Sequence, residues 1–196
     1  MKRIIFLTLV LTLSALSSKA QDAEASDKKF RLEIEPASFA FRGFSGSLLY
    51  ALTPDNSFSL GLYAASVNVP VFTRRNMFDN VGEDTSSVRL GFQAALMARY
   101  NINIFKNMES NPYVGLIFGW EYFDIDQPYN PETLRITTFI ATPYVGYEFY
   151  FYKQMLFLNP QLRGVFYFGD KSSDASRPEQ LTGGYLLPQL SLGVRF

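Results

Sequence analysis

The 196-residue chain has no cysteine and no histidine, and its 18 basic side chains are balanced by 18 acidic ones. Without cysteine there are no disulfide staples, so stability has to come from packing, hydrogen bonding or the surroundings. Without either residue the common nucleophile and base pairings are missing, and a zinc site would have to be built from carboxylates alone. A formal charge of zero gives no electrostatic case for nucleic acid. Beyond the N-terminus no run of about 20 apolar residues occurs, so no helix is expected to span a bilayer.

What is present begins with a charged and then apolar N-terminus. Lys2 and Arg3 precede the run Ile4 to Leu16, and Ser18, Lys19 and Ala20 follow, with small residues where a signal peptidase reads. Residues 1–20 read as a secretory signal peptide, which directs the chain out of the cytoplasm. Gln21 to Lys29 are charged and small and read as a flexible periplasmic leader. Residues 30–196 are expected to form one domain.

That domain alternates with period two, the pattern of strands with two unlike faces. In Ser87 to Asn101, Val88, Leu90, Phe92, Ala94, Leu96, Ala98 and Tyr100 share one side, and Arg89, Gly91, Gln93, Met97 and Arg99 the other. The same reading gives eight strands, near 30–41, 44–52, 57–68, 86–101, 112–124, 134–152, 155–169 and 184–196. Ile117, Ile140, Phe157 and Val165 are exceptions, being apolar on the otherwise polar side. Connections alternate between short and long, and the long ones are 69–85, 125–133 and 170–183. Transmembrane barrels show this asymmetry of short periplasmic turns and longer outer loops.

Size decides which face is wet. Turned inward, roughly forty bulky apolar side chains would overfill an eight-stranded barrel, whose interior holds only a few layers. Turned outward they meet lipid, with aromatics near the strand ends at the interfaces. The polar face, with Arg31, Glu33, Glu35, Arg89, Arg99, Glu121, Glu148, Arg163 and Arg195, then lines the lumen. Five Arg against four Glu are expected to pair there, because an isolated buried charge is costly.

The chain ends on LSLGVRF, an alternating stretch with a terminal Phe. In this it resembles outer-membrane barrel proteins generally, and the resemblance implies that Leu190, Leu192, Val194 and Phe196 are the signal read by the barrel-assembly machinery. A Pro motif recurs in NPYVGLIFGW, TPYVGYEFYF, NPQLRGVFYF and LPQLSLGVRF, starting at Asn111, Thr142, Asn159 and Leu187. These segments resemble strands of the outer-membrane β-barrel domain family, which includes small eight-stranded barrels of the OmpA, OmpX and OmpW kind. The likeness covers about residues 30–196 and implies an all-β, eight-stranded antiparallel up-and-down transmembrane barrel in the outer membrane of a Gram-negative cell envelope. Pro143, Pro160 and Pro188 are expected to mark bulges or bends.

The barrel enzymes of that family are lipid A acyltransferases and deacylases, phospholipases and omptin proteases, and they employ a His. Its absence here implies a non-enzyme. No cofactor or metal is expected. Glu121, Asp124 and Asp126 in one loop region, or Asp79, Glu83 and Asp84 in the longest loop, could offer oxygen ligands to a hard cation, but solvated loop surface is the simpler reading. Arg74 and Arg75 could contact lipopolysaccharide phosphates, and an ordinary exposed pair is again simpler. The expected role is structural or interactive, with three longer loops meeting a protein partner or the barrel standing as a subunit of a larger membrane assembly. A narrow, porin-like conduit for small apolar molecules, as in OmpW-like barrels, and a soluble lipocalin-like carrier are the alternatives.

Overall fold

The computed structural model describes residues 28–79, 87–102, 110–127, 130–172, 180–181 and 183–196. The expected signal peptide and most of the leader lie outside them. The elements are β1 (Phe30–Ile34), α1 (Pro36–Ala40), β2 (Phe44–Ala51), β3 (Phe58–Asn68), α2 (Val71–Met77) and β4 (Phe78–Asp79). They continue with β5 (Ser87–Asn101), β6 (Ser110–Gln127), β7 (Asn130–Phe151), α3 (Tyr152–Met155), β8 (Leu156–Ser172), β9 (Gln180–Leu181) and β10 (Tyr185–Arg195). Eight strands close a barrel in the order β1-β10-β8-β7-β6-β5-β3-β2, and β4 pairs with β9 in a separate two-stranded sheet. Every pairing is antiparallel. Sequence neighbours pair throughout, as in an up-and-down barrel.

Closure is made by Phe30 and Phe196, whose backbones exchange hydrogen bonds of 2.8 and 2.9 Å. Their rings stack at 5.7 Å. A strand ending on an aromatic is thus tied to the first strand and leaves no frayed edge at that end. We call this the terminal end, and the opposite one the far end.

The outer surface is apolar over most of its height. Leu62, Leu96 and Leu186 are 63%, 66% and 69% exposed, whereas Arg99 and Glu148, pointing inward, are 1% and 0% exposed. Exposed aromatics gather toward both ends, with Phe30, Tyr50, Tyr100, Phe149 and Phe151 at the terminal end and Phe39, Phe44, Phe139, Phe166 and Phe168 toward the far end. An apolar belt between aromatic girdles matches hydrocarbon between two interfaces, and water would penalise it.

Four details depart from expectation. β1 stops at Ile34, and α1 occupies positions expected to continue the strand. Pro36 favours a helix start here, and Ser38 donates its hydroxyl to the Glu35 carbonyl at 2.7 Å. The segment then turns through Arg42, at φ 56°, and Gly43, where a Cβ would lie 2.0 Å from the Ser66 carbonyl oxygen. Second, the expected loop 125–133 is largely ladder, since β6 and β7 pair up to Gln127 and Asn130. Asp, Asn and Pro residues suggest a loop there, but the paired strands continue on both sides of it to Gln127 and Asn130. Third, no register shift coincides with Pro143, Pro160 or Pro188; the shifts lie at Ala65/Val67, Leu90/Phe92, Ile125/Gln127 and Thr137/Phe139.

The fourth concerns Arg89. A bulge at Gly91 places one extra residue between Leu90, opposite Phe123, and Phe92, opposite Tyr122. The facing of β5 therefore inverts above it. Arg89 is exposed on the outer surface instead of lying in the lumen, while Val88 and Leu90, expected to face lipid, are buried inside. A Cβ at the bulge would meet the Tyr122 ring at 2.0 Å, so any side chain there has to displace that ring.

Candidate functional site

The lumen is divided into a charged half and an apolar half. In the terminal half, Arg99 Nη1 donates to both Glu33 and Glu148, the latter at 2.8 Å, and Arg31 lies 3.7 Å from the same Glu148 oxygen. Asn159 donates to Glu33 at 3.1 Å, and the Tyr113 and Tyr150 hydroxyls donate to Asn159 and Glu148. The Arg99 guanidinium also rides over the Tyr113 ring at 4.3 Å, a cation–π contact. Arg195 donates Nε to the Lys28 carbonyl at 3.0 Å, and Lys29 reaches the Thr53 carbonyl at 3.1 Å, so the last two residues of the expected leader are bonded to the barrel.

Next toward the far end is a second charged cluster. Arg163 donates to Glu35 and, at 3.2 Å, to the Tyr63 hydroxyl, which itself donates to Glu35 at 3.1 Å. Ser45 adds a further bond to Glu35, and Gln161 accepts from Arg163 Nε at 3.2 Å. Here each carboxylate is neutralised and bonded by several partners, which offsets the cost of burying it. Of the nine charged positions read as luminal, Arg31, Glu33, Glu35, Arg99, Glu148, Arg163 and Arg195 fall in these clusters. Arg89 faces outward, and Glu121 stands apart from both.

Beyond this floor lies a cavity of about 670 Å³. Its wall is made by Ala65, Val67, Leu90, Ile117, Phe123, Ile140 and Val165, with Tyr167 and Tyr185. Such a volume falls within the roughly 300–1,000 Å³ of small-molecule sites. Val69 and Met77 around α2 border the cavity, and Phe78 and Leu181 of the β4–β9 pair are buried in the same apolar cluster. Phe78 packs edge-on against Phe123 at 5.3 Å.

One side of the wall lacks a strand. β1 pairs with β10 only from Leu192 to Arg195, so Tyr185 to Ser191 have β8 on one side and no strand on the other, where α1 lies close to β10. Because Phe196 points its amide at β1, alternation points the amide position of residue 188 the same way, and that residue is Pro188. A proline there removes one of the donors that would otherwise face the gap. Ala37, Phe41, Leu187, Pro188 and Leu190 all border the cavity, which thus reaches this thin part of the wall.

The remaining candidates separate. Glu121 faces the lumen while Asp124 and Asp126 face out, as alternation demands. Asp124 pairs with Arg135 at 2.8 Å, and Asp126 accepts from Ser87 and Thr133 at 2.8 and 2.9 Å. Among the described residues no three acidic groups gather as a metal site would need. Arg74 donates Nε to the Val69 carbonyl at 3.0 Å. Glu83 and Asp84 lie outside the described residues, as do the side chains of Arg75 and Asp79. Leu190 and Leu192 are exposed on β10, and Val194 is buried.

The cavity itself was missed by the reading of the sequence, although a signal existed. Three of the four apolar exceptions on the polar face, Ile117, Ile140 and Val165, line it.

The closed eight-stranded antiparallel barrel with an apolar exterior is the architecture of small outer-membrane barrels. No protein-family model matches the chain, and no curated protein does. Among solved structures it is similar to the N-terminal β-barrel domain of Pseudomonas aeruginosa OprF, at 17% identity over 86% of this chain and 98% of that one, with a TM-score of 0.52. A major outer membrane protein from Thermus thermophilus matches at 13% identity, 85% and 99% coverage and a TM-score of 0.47. Acinetobacter baumannii CarO2 matches at 13%, 86% and 97% coverage and 0.38. The OprF likeness is one of fold.

Proposed function

We propose that this is a non-enzymatic, integral outer-membrane barrel that holds a small, largely apolar molecule in the far half of its lumen. The far end faces outward from the cell, as the short turns and termini at the other end favour. The observation that carries the reading is the 670 Å³ apolar cavity resting on a floor of paired Arg and Glu. Such a floor opposes passage straight through the lumen, so the molecule arrives and leaves at the far half, where the wall between α1 and β10 is thin.

The test uses the barrel in lipid nanodiscs with the environment-sensitive probe N-phenylnaphthylamine. Saturable binding at one site is expected, abolished by Ala65→Trp, which fills the cavity, and unaffected by Leu60→Trp on the outer face. Binding that Ala65→Trp leaves intact would overturn the reading. Stepwise conductance in planar bilayers would favour a conduit instead, and recovery in the soluble fraction would favour a carrier.

A further inference from the structure

Glu121 is the charged residue of the lumen that neither cluster absorbs. It projects from β6 three inward positions farther from the terminal end than Gly115, between Gln93 of β5 and Thr138 of β7. It is 3% exposed, borders the cavity, and its Oε1 is buried without a hydrogen-bond partner. Several of the groups near it make hydrogen bonds elsewhere. The Thr138 hydroxyl bonds the carbonyls of Phe139 and Phe168 at 3.1 and 3.3 Å, and the Tyr167 and Tyr185 hydroxyls face each other at 3.4 Å. Arg163, the cation bordering the same cavity, is held by Glu35 and Tyr63. Among the described residues no cation forms an ion pair with Glu121.

An unpaired carboxyl in an apolar cavity costs several kcal/mol if charged. A barrel that supplies partners for Glu33, Glu35 and Glu148 and none for Glu121 leaves that role to the occupant. We infer that the cavity takes an amphiphile with a hydrocarbon body and one basic amine, the ammonium group bonding to Glu121 while the body lies against Leu90, Phe123, Ile140 and Val165. This inference rests on the proposed pocket and adds the chemistry of its occupant. A carboxylate-bearing amphiphile would set two like charges together and is disfavoured.

The experiment displaces bound N-phenylnaphthylamine from the barrel in nanodiscs with dodecylammonium, dodecanol or dodecanoate, using the native chain and Glu121→Gln. Dodecylammonium is expected to compete at a concentration about tenfold below dodecanol, the difference that one charge-assisted hydrogen bond supplies. Dodecanoate should compete most weakly. In Glu121→Gln the amine should lose its advantage while dodecanol is unchanged, and an unaltered heat-dependent gel mobility would show that the variant is folded. Equal competition by all three, or an amine advantage that survives Glu121→Gln, overturns the inference and leaves the pocket standing. Failure of all three to displace the probe overturns the pocket with it.

Discussion

The two halves of the lumen solve the problem of a polar strand face in opposite ways. In the terminal half Arg, Glu, Asn and Tyr side chains at inward positions bond to one another, with Leu49, Met97 and Phe157 buried beside them. Arg99 alone joins Glu33 and Glu148 and covers Tyr113. In the far half the inward positions are Val88, Leu90, Phe123, Ile125, Ile136 and Ile140, which are buried yet leave a cavity. Charged groups with several partners close a cylinder tightly because each unpaired one is so costly. Apolar groups carry no such demand for partners, so a gap among them costs far less.

The sharpest way to break this contrast is to remove the centre of the charged half. Arg99→Met leaves Glu33 and Glu148 short of their shared cation and should cost about 3–5 kcal/mol, as breaking buried ion pairs does. Urea titration followed by the fluorescence of Trp120, the one tryptophan, would measure it. A loss under about 1 kcal/mol, the scale of an exposed pair, would mean that the terminal half is not held by its charges.

The same comparison can be made radially. Leu96 is 66% exposed on the outer face of β5, and Leu96→Arg should cost about 2–4 kcal/mol near a bilayer midplane. Gln93→Ala, facing inward on the same strand, should change stability much less. Equal tolerance at the two positions would contradict a hydrocarbon exterior.

Gly91 sets the boundary on β5 between the two halves. Gly91→Val drives a side chain into the Tyr122 ring and should cost about 1–3 kcal/mol by overpacking. Deleting Gly91 is expected to be milder, because Leu90 and Phe92 then become adjacent, as their partners Phe123 and Tyr122 already are, and Val88 and Leu90 stay inside. Chemical labelling of cysteines placed singly at 89 and 90 would report which position faces lipid in each variant.

The smallest effect belongs to the terminal-end turn. The Thr53 and Ser57 side chains hold the Asp55 carboxyl below the usual carboxylate range. Because the folded value is the lower one, this contribution is complete above the ordinary carboxylate range and disappears as pH falls through the lowered value. Asp55→Asn should therefore slightly lower the neutral plateau of a stability-against-pH curve and flatten its acid limb, leaving stability at the lowest pH nearly unchanged.

Much of this was readable in the chain. Alternation along Val114 to Tyr122 and Leu156 to Phe168 assigned faces correctly, because lipid and lumen impose opposite demands on successive residues. Arg89 was misplaced because Val88 to Tyr100 alternates without a visible break, and a bulge adds a residue without disturbing that pattern. The short helix after Ile34 was hidden for a related reason, since Pro36 to Ala40 is too brief to establish a period.

By itself, then, the sequence determined that strands with one greasy and one polar face must wrap into a small cylinder with the grease outside, since period and side-chain volume are local properties. Which inward residues meet was decided only by the closed sheet. Register brings Glu35 to Arg163 from 128 positions away, and one bulged glycine turns Leu90 inward. Partnership in a lumen depends on which strands stand opposite one another across it, and no stretch of chain records that.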